Sequence, residues 1–222
     1  MQSGSIEHWL ELRKGLPSVA VTLGQATSQA YIGDPRMIAF IAARYKFVAK
    51  LLEGRSTVAE VGCGDAFGAP IVAQSVQSLL CTDIDRETLE LNATRCPAKN
   101  VRFAYHDFSQ GPLPEPVSAI YLVDVIEHIY PSEEDVFVRN LCGSLTANGV
   151  AILGTPNKAA EAYASENSRH GHVNLKTGQT LRALGAAHFG SVFMFGMSDE
   201  VVHTGFAPMA HYLWALCVGP KA

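Results

Sequence analysis

Five apolar runs alternate with helical patterns between residues 57 and 155, and this alternation limits the fold more than any other feature of the chain. The runs fall at 57–62, 79–84, 101–107, 118–125 and 149–155. Strands separated by helices imply parallel pairing, because each crossover returns the chain to the same end of the sheet and lays a helix on one of its faces. The clearest intervening helix, VFVRNLCGSL, lies between the fourth and fifth runs. Ser132 with Asp135 three residues later predicts a capping box ahead of it. Asn148-Gly149 predicts a turn into the fifth strand.

Ahead of the sheet, Asp34, Pro35 and Gly54 bracket a helix in which Ile38, Ile41, Tyr45, Val48 and Leu52 recur at helical spacing. Residues 1–33 carry a short amphipathic piece, IEHWLEL, and then a small, polar segment, VTLGQATSQAYIGD. They read either as a surface arm or as a helical cap over a ligand cleft. After Pro156 comes a polar loop, NKAAEAYASENSRHGHVN, and then a helix near 176–188. A loop this long inside a compact domain is usually functional or mobile. The last apolar segments, SVFMFGM and HYLWALCVG, have no helical pattern between them, which implies an antiparallel pair. The expected architecture is a doubly wound α/β domain over 34–222, with a seven-stranded, mostly parallel sheet, an antiparallel last strand and an N-terminal helical cap.

Composition narrows the partners. With 48% hydrophobic and 17% charged residues the 222-residue chain can bury one ordinary core. A net charge of -4 is the wrong sign for affinity built on phosphate neutralisation, so nucleic acid is not an expected partner. The five cysteines form no CxxC pair and read as free thiols. No apolar run approaches the roughly 18 residues of a membrane span, and the start, MQSGSIEHWLELRKG, has no apolar signal core. The cytoplasm is the expected compartment.

The chemistry gathers first at residues 57–68, TVAEVGCGDAFG, where a strand runs into a glycine turn and a helix. Glycines let backbone approach a ligand closely, and a following helix offers unpaired N–H groups. The spacing is GxGxxxG, not the GxGxxG of dinucleotide-binding dehydrogenases, and no P-loop lysine follows. Asp83 ends the second strand about 20 residues on, where a carboxylate can accept from both hydroxyls of a ribose. Asp85 beside it reads as the N-cap of RETLELN. Asp107, at the end of the third strand, can accept from an adenine amine while the Phe108 N–H donates to the ring, or it can simply cap a turn.

Taken in order, these segments resemble the class I S-adenosylmethionine-dependent methyltransferases, in particular the small-molecule, methyltransferase type 11/UbiG-like branch with D-V-x-E-H on its fourth strand. VAEVGCGDAFG resembles the first motif of that family, CTDID the second, AYHDF the third and YLVDVIEHI the fourth. LTANGVAILGTPN resembles the strand that follows. The resemblance spans about residues 56–157 and implies S-adenosyl-L-methionine as cofactor. It implies Gly62 and Gly64 along the amino-acid end of that cofactor, with Glu60 ordering that end through the loop or a water. Asp83 and Ile84 would meet the ribose, Asp107 and Phe108 the adenine, and Asp124 the mouth of the fourth strand. Ala66 departs from the family, which often has a third glycine there.

The acceptor side is less constrained. Families that methylate nucleic-acid bases carry Pro-Pro-aromatic where this chain has Val-Ile-Glu-His, so the resemblance implies a small-molecule acceptor. An oxygen of a sugar, lipid precursor or secondary metabolite fits best. A hydroxyl acceptor must lose its proton, and histidine does that work near neutral pH. His172 and His203 are the candidates for a base, with His170 nearby in the loop, and His172-Val173-Asn174 resembles the stretch that frames the substrate in related enzymes. His128 is either a third candidate or a structural histidine, and His211 reads as structural. Asp199, Glu200 and His203 lie within five residues, but no zinc-type spacing is present and no metal is expected. The rival readings are a nicotinamide-dependent oxidoreductase and a non-catalytic methyltransferase-like subunit that only binds cofactor.

Overall fold

The chain is described over residues 4–18, 20–163 and 166–221 in a computed structural model. The first residues of the arm and residues 164–165 of the polar loop therefore lie outside the described residues. Three helices precede the sheet: α1 (Gly4–Lys14), α2 (Gln25–Gly33) and α3 (Met37–Leu51). The start of α3 is set by Asp34, whose carboxylate accepts the Arg36 N–H at 3.0 Å and whose carbonyl accepts the Met37 N–H at 2.9 Å. Gly54, at φ +80°, turns the chain away beyond its end. Between these signals Tyr45, Val48 and Ala49, followed by Leu52, bury one face against the sheet.

The alternating part follows as β1 (Thr57–Val61), α4 (Ala69–Ala73), β2 (Ser78–Asp83), α5 (Arg86–Arg95), β3 (Val101–Tyr105), β4 (Val117–Val123), α6 (Glu134–Gly143) and β5 (Leu145–Pro156). The chain then continues through α7 (Glu166–Gly171), α8 (Gly178–His188), β6 (Phe189–Ser198), β7 (Val201–His203) and β8 (Tyr212–Pro220). The strand order is β3-β2-β1-β4-β5-β8-β6-β7. The first five strands in this order are parallel, and β8 runs antiparallel between β5 and β6.

Three expectations are corrected. Among the described residues the sheet has eight strands, not seven, because Asp199 at φ +52° makes a tight turn and residues 201–203 pair back on β6. The Ser132–Asp135 capping box does not form; Glu133 and Glu134 instead donate to the Tyr130 carbonyl and begin α6 without a side-chain cap. The box that does form lies at Thr177 and Thr180, ahead of α8. Asn148-Gly149 belongs to β5 itself, within residues 146–149, which break the register between the Val117–Leu145 and Ala119–Val150 pairs.

The sheet separates two cores. Val58, Leu79, Tyr121 and Trp214 pack with Tyr45, Val48 and Leu52 of the α3 side, whereas Ala59, Ile120 and Leu122 pack with Phe137, Leu141 and Leu181 beneath α6 and α8. Each such fully buried side chain stabilises the fold by roughly 1.5–3 kcal/mol. All five cysteines are free. Among the described residues no helix is long and apolar enough to cross a membrane.

The topology also locates a cleft. From β1 the chain winds outward through β2 to β3, and then crosses back to β4 on the other side of β1. At such a switch point the connections leave in opposite directions, and a crevice opens beyond the carboxyl ends of the strands.

Candidate functional site

One wall of the crevice is the glycine turn after β1. Gly62 and Gly64 take φ +67° and +50°, a region that disfavours any side chain. A Cβ on Gly62 would stand 2.6 Å from Val125 Cγ2, whereas one on Gly64 would meet nothing within 4 Å. The loop is thus pressed against the end of β4 at Gly62 and open to a ligand at Gly64. Ala66 adopts φ +55° where the family often has glycine, a conformation that costs an L-residue roughly 1–2 kcal/mol. The loop is held from behind by Asn92 of α5, buried and donating to the Gly64 carbonyl at 2.7 Å.

Asp83, at the end of β2, shares this wall. Its Oδ2 accepts the Gly64 N–H at 2.9 Å and its Oδ1 the Asp85 N–H at 3.0 Å. A carboxylate offers about four acceptor positions, so capacity remains for a diol. Ile84 beside it is 67% exposed, an apolar flank on the same rim. Asp85 caps α5 by accepting the Glu87 and Thr88 N–H groups, as the sequence implies. Asp107 lies just past β3, where its Oδ1 accepts the Ser109 N–H at 2.8 Å. The Phe108 ring is buried against Phe137 and His106, so only its backbone is available to a ligand. Glu60 lies beneath the loop and not in the crevice. It is 1% exposed, accepts from the Cys81 thiol at 3.3 Å, and is pushed by burial up to about 7.

The N-terminal arm divides into two parts. Thr27, in the first turn of α2, donates its N–H and its hydroxyl to the carboxylate of Asp65 in the glycine turn, at 2.7 and 2.9 Å. Gly24 lies so close that a Cβ there would be 2.3 Å from Asp65 Cβ. α2 is therefore seated on the loop, while α1 buries no residue. Thr27→Ala is expected to cost about 1 kcal/mol, because it removes the hydroxyl bond and leaves the backbone bond in place. Denaturant unfolding of the two chains measures this directly.

The opposite wall begins at Asp124, which follows β4 at φ +57°, a backbone conformation uncommon outside glycine and often found where function requires it. Its Oδ2 pairs with Arg44 at 2.6 Å, its N–H donates to the Gly154 carbonyl and faces the Tyr212 hydroxyl, and its Oδ1 is buried without a partner. The Arg44 guanidinium lies 4.1 Å over the Tyr212 ring. Arg44 and Tyr212 were not singled out by sequence. The available signal was a charged residue on the buried stripe of α3, four positions before Val48.

A short 3₁₀ turn, Ile126–His128, follows. Glu127 is fully buried; its Oε2 accepts the Thr155 hydroxyl at 3.0 Å and its Oε1 has no partner. Burial, and then the charge of Asp124, raise its pKa to about 8. His128 Nδ1 lies 2.8 Å from the Gly171 carbonyl, and its ring is 5.2 Å from that of His172. Burial, with His128 next, lowers the pKa of His172. The segment carrying His172 is pinned by Asn174, whose N–H donates to the Glu127 carbonyl at 3.0 Å and whose side chain donates to Glu134 at 2.7 Å. Lys176, 6% exposed, ion-pairs with the same Glu134 and donates to Asn174 at 2.9 Å. Glu127, His128 and His172 each offer a donor atom within 4.8 Å of the others.

His203 is not brought into this group. It lies on β7 at the sheet edge, four strands from β4, on the order of 19 Å at ordinary strand spacing. Its ring instead meets the Ser198 hydroxyl at 3.4 Å and the Gly205 N–H at 3.2 Å. His211 faces Asp199 at 3.6 Å on the exposed side of the same hairpin.

A family described as a methyltransferase domain matches residues 58–149. A probable S-adenosylmethionine-dependent methyltransferase of Mycolicibacterium smegmatis is 27% identical over 144 residues, 64% of this chain and 54% of that protein. The ubiquinone biosynthesis O-methyltransferase of Rickettsia felis is 26% identical over 125 residues, 55% of this chain and 48% of that protein. The chain thus spans about half the length of the curated relatives it matches. In fold it is similar to the N-methyltransferase NodS of Bradyrhizobium japonicum in complex with S-adenosyl-L-homocysteine, with a TM-score of 0.62 at 17% identity, covering 82% of this chain and 88% of that one. Residues 58–149 thus match a methyltransferase domain, and over that part of its length the chain is similar to S-adenosylmethionine-dependent methyltransferases.

Proposed function

We propose that this chain is an enzyme that transfers the methyl group of S-adenosyl-L-methionine to an oxygen of a small molecule held between the glycine turn and the Asp124–His128 rim. The observation that carries the reading is the pairing of an open glycine turn and a terminal ribose-type acid, Asp83, with an acid and histidine rim across the same switch point. The residues fit the cofactor. Gly64 leaves space for its amino-acid end, the free positions on Asp83 suit a ribose diol, exposed Ile84 offers apolar contact, and the Asp107–Phe108 backbone lies where the adenine would end. Glu60 acts on that end only through the loop above it.

When bound, the cofactor supplies a methyl carbon on a sulfonium, whose C–S bond breaks as the new O–CH₃ bond forms, leaving a neutral thioether and a proton from the hydroxyl. The protein aligns the acceptor and excludes water, work worth up to roughly 7–11 kcal/mol in favourable cases. Arg44 and Tyr212 fix Asp124 at the mouth, and His128 with His172 are the groups placed to deal with the proton. A hydroxyl acceptor is favoured by that histidine pair and by the similarity to a ubiquinone O-methyltransferase. Equilibrium titration is expected to show saturable binding of S-adenosylhomocysteine and none of NAD. Binding of NAD alone would overturn the reading, and cofactor binding without turnover on any hydroxylated acceptor would leave a non-catalytic subunit.

A further inference from the structure

Glu127, His128 and His172 have a ligand chemistry of their own. Their donor atoms lie within 4.8 Å of one another although His172 is far away in sequence. Glu127 is fully buried, and with Oε2 on the Thr155 hydroxyl its Oε1 meets no donor. A buried carboxylate oxygen left unpaired is costly unless it takes up a proton or something positive reaches it, and beside two imidazoles a cation can take the proton's place. His128 is oriented by its contact with the Gly171 carbonyl. A carbonyl only accepts, so in the neutral ring the proton sits on Nδ1 and the lone pair on Nε2. Metal-ligating histidines are held in this way, with the second ring nitrogen donating to a carbonyl or carboxylate. The group also opens to one side, from buried Glu127 through half-buried His172 to exposed His128. Asp124, three residues before Glu127 and paired through Oδ2 with Arg44, keeps a buried Oδ1 without a partner.

We propose that Glu127, His128 and His172 bind a first-row divalent transition-metal cation of the zinc, cobalt or manganese kind. Two imidazoles and one carboxylate suit such borderline cations better than magnesium or calcium, which prefer oxygen ligands alone. Three protein ligands leave positions open, as in catalytic and not structural sites. The inference deepens the proposed function in one respect and rests on it there: an acceptor hydroxyl could occupy an open position, lose its proton to water near neutral pH, and make a separate histidine base unnecessary. Cation binding itself does not depend on that role. The sequence offers no such site, because two ligands are adjacent on a strand-to-helix turn and the third comes from the far side of a long loop.

The test is titration of the metal-stripped full-length chain with Co²⁺, read by its visible absorption, with Zn²⁺ as competitor. One cation per chain is expected, displaced by Zn²⁺ and not by Mg²⁺. His172→Ala and Glu127→Gln are each expected to weaken it at least 100-fold, while His203→Ala leaves it unchanged. S-adenosylhomocysteine binding by the same variants reports that they are folded. Absence of saturable Co²⁺, Zn²⁺ or Mn²⁺ binding at millimolar concentration overturns the site, as does binding indifferent to His172→Ala and Glu127→Gln. Cation binding with no S-adenosylhomocysteine binding would uphold the metal site and remove the methyl-transfer reading instead.

Discussion

Replacing Asp83 with alanine is expected to weaken S-adenosylhomocysteine binding at least about 100-fold, a loss of about 2.7 kcal/mol or more. Hydrogen bonds to a charged group contribute roughly 1.5–3 kcal/mol each, and a carboxylate facing a ribose diol makes two. A second contribution has the same sign. Asp83 also accepts the Gly64 and Asp85 N–H groups, so alanine loosens the turn proposed to meet the amino-acid end of the ligand. Asp83→Asn keeps one acceptor oxygen and should fall between the parent and the alanine variant. Calorimetric titration at fixed salt measures both, and a cooperative unfolding transition establishes that each variant is folded. An affinity within two-fold of the parent would show that Asp83 is only a brace for the loop.

The structure divides legible features from illegible ones along physical lines. The five parallel strands follow from alternation and local signals: Asp34 and Gly54 around α3, Asp85 at the start of α5. β7 is three residues long and exists only by pairing with β6, so no local period announces it. Ser132 and Asp135 have the spacing of a capping box, yet the turn from Tyr130 already supplies the first helical hydrogen bonds and the box goes unused. The positions of Asp83, Asp107 and Asp124 at the sheet's rim were readable because the carboxyl ends of parallel strands all face one side. Asp65, which holds α2, and Arg44, which pairs with Asp124 across 80 positions, depend on tertiary contacts that spacing does not encode. The assembly of His172 with Glu127 is of that kind too, since it needs Asn174 and Lys176 both tied to Glu134. Glu60 teaches a different lesson. Successive residues of β1 face opposite ways, so Glu60 shares the side of Val58 and points into the core beneath the loop.

That placement carries the other large expected effect, on stability as a function of pH. The Glu60 carboxyl is raised from an ordinary 4.5 to about 7 by burial, with the neighbouring Tyr121, Cys81 and Tyr45 side chains opposing the shift and the charge of Asp83 adding to it. The folded chain therefore keeps a proton at pH values where the unfolded chain has lost it. With fewer protons bound in the unfolded state, stability falls as pH rises from about 4.5 towards about 7, and then levels once both states are ionised. The accumulated loss is about 3 kcal/mol at one pKa unit per 1.36 kcal/mol. Glu60→Gln removes this loss while keeping the shape. It is expected to match the parent near pH 4.5 and to exceed it by up to about 3 kcal/mol at pH 8. Glu127, raised to about 8 by burial, contributes a slope of the same sign that persists in the variant, so the variant's stability still declines above pH 7. Urea unfolding at several pH values in one salt measures both chains, and coincident pH profiles would exclude Glu60 as the source. Because Glu60 faces the core, the same substitution should leave S-adenosylhomocysteine affinity at pH 6 within a few-fold of the parent. A large loss of affinity there would mean that its carboxylate reaches the ligand after all, through the turn at Gly62 and Gly64.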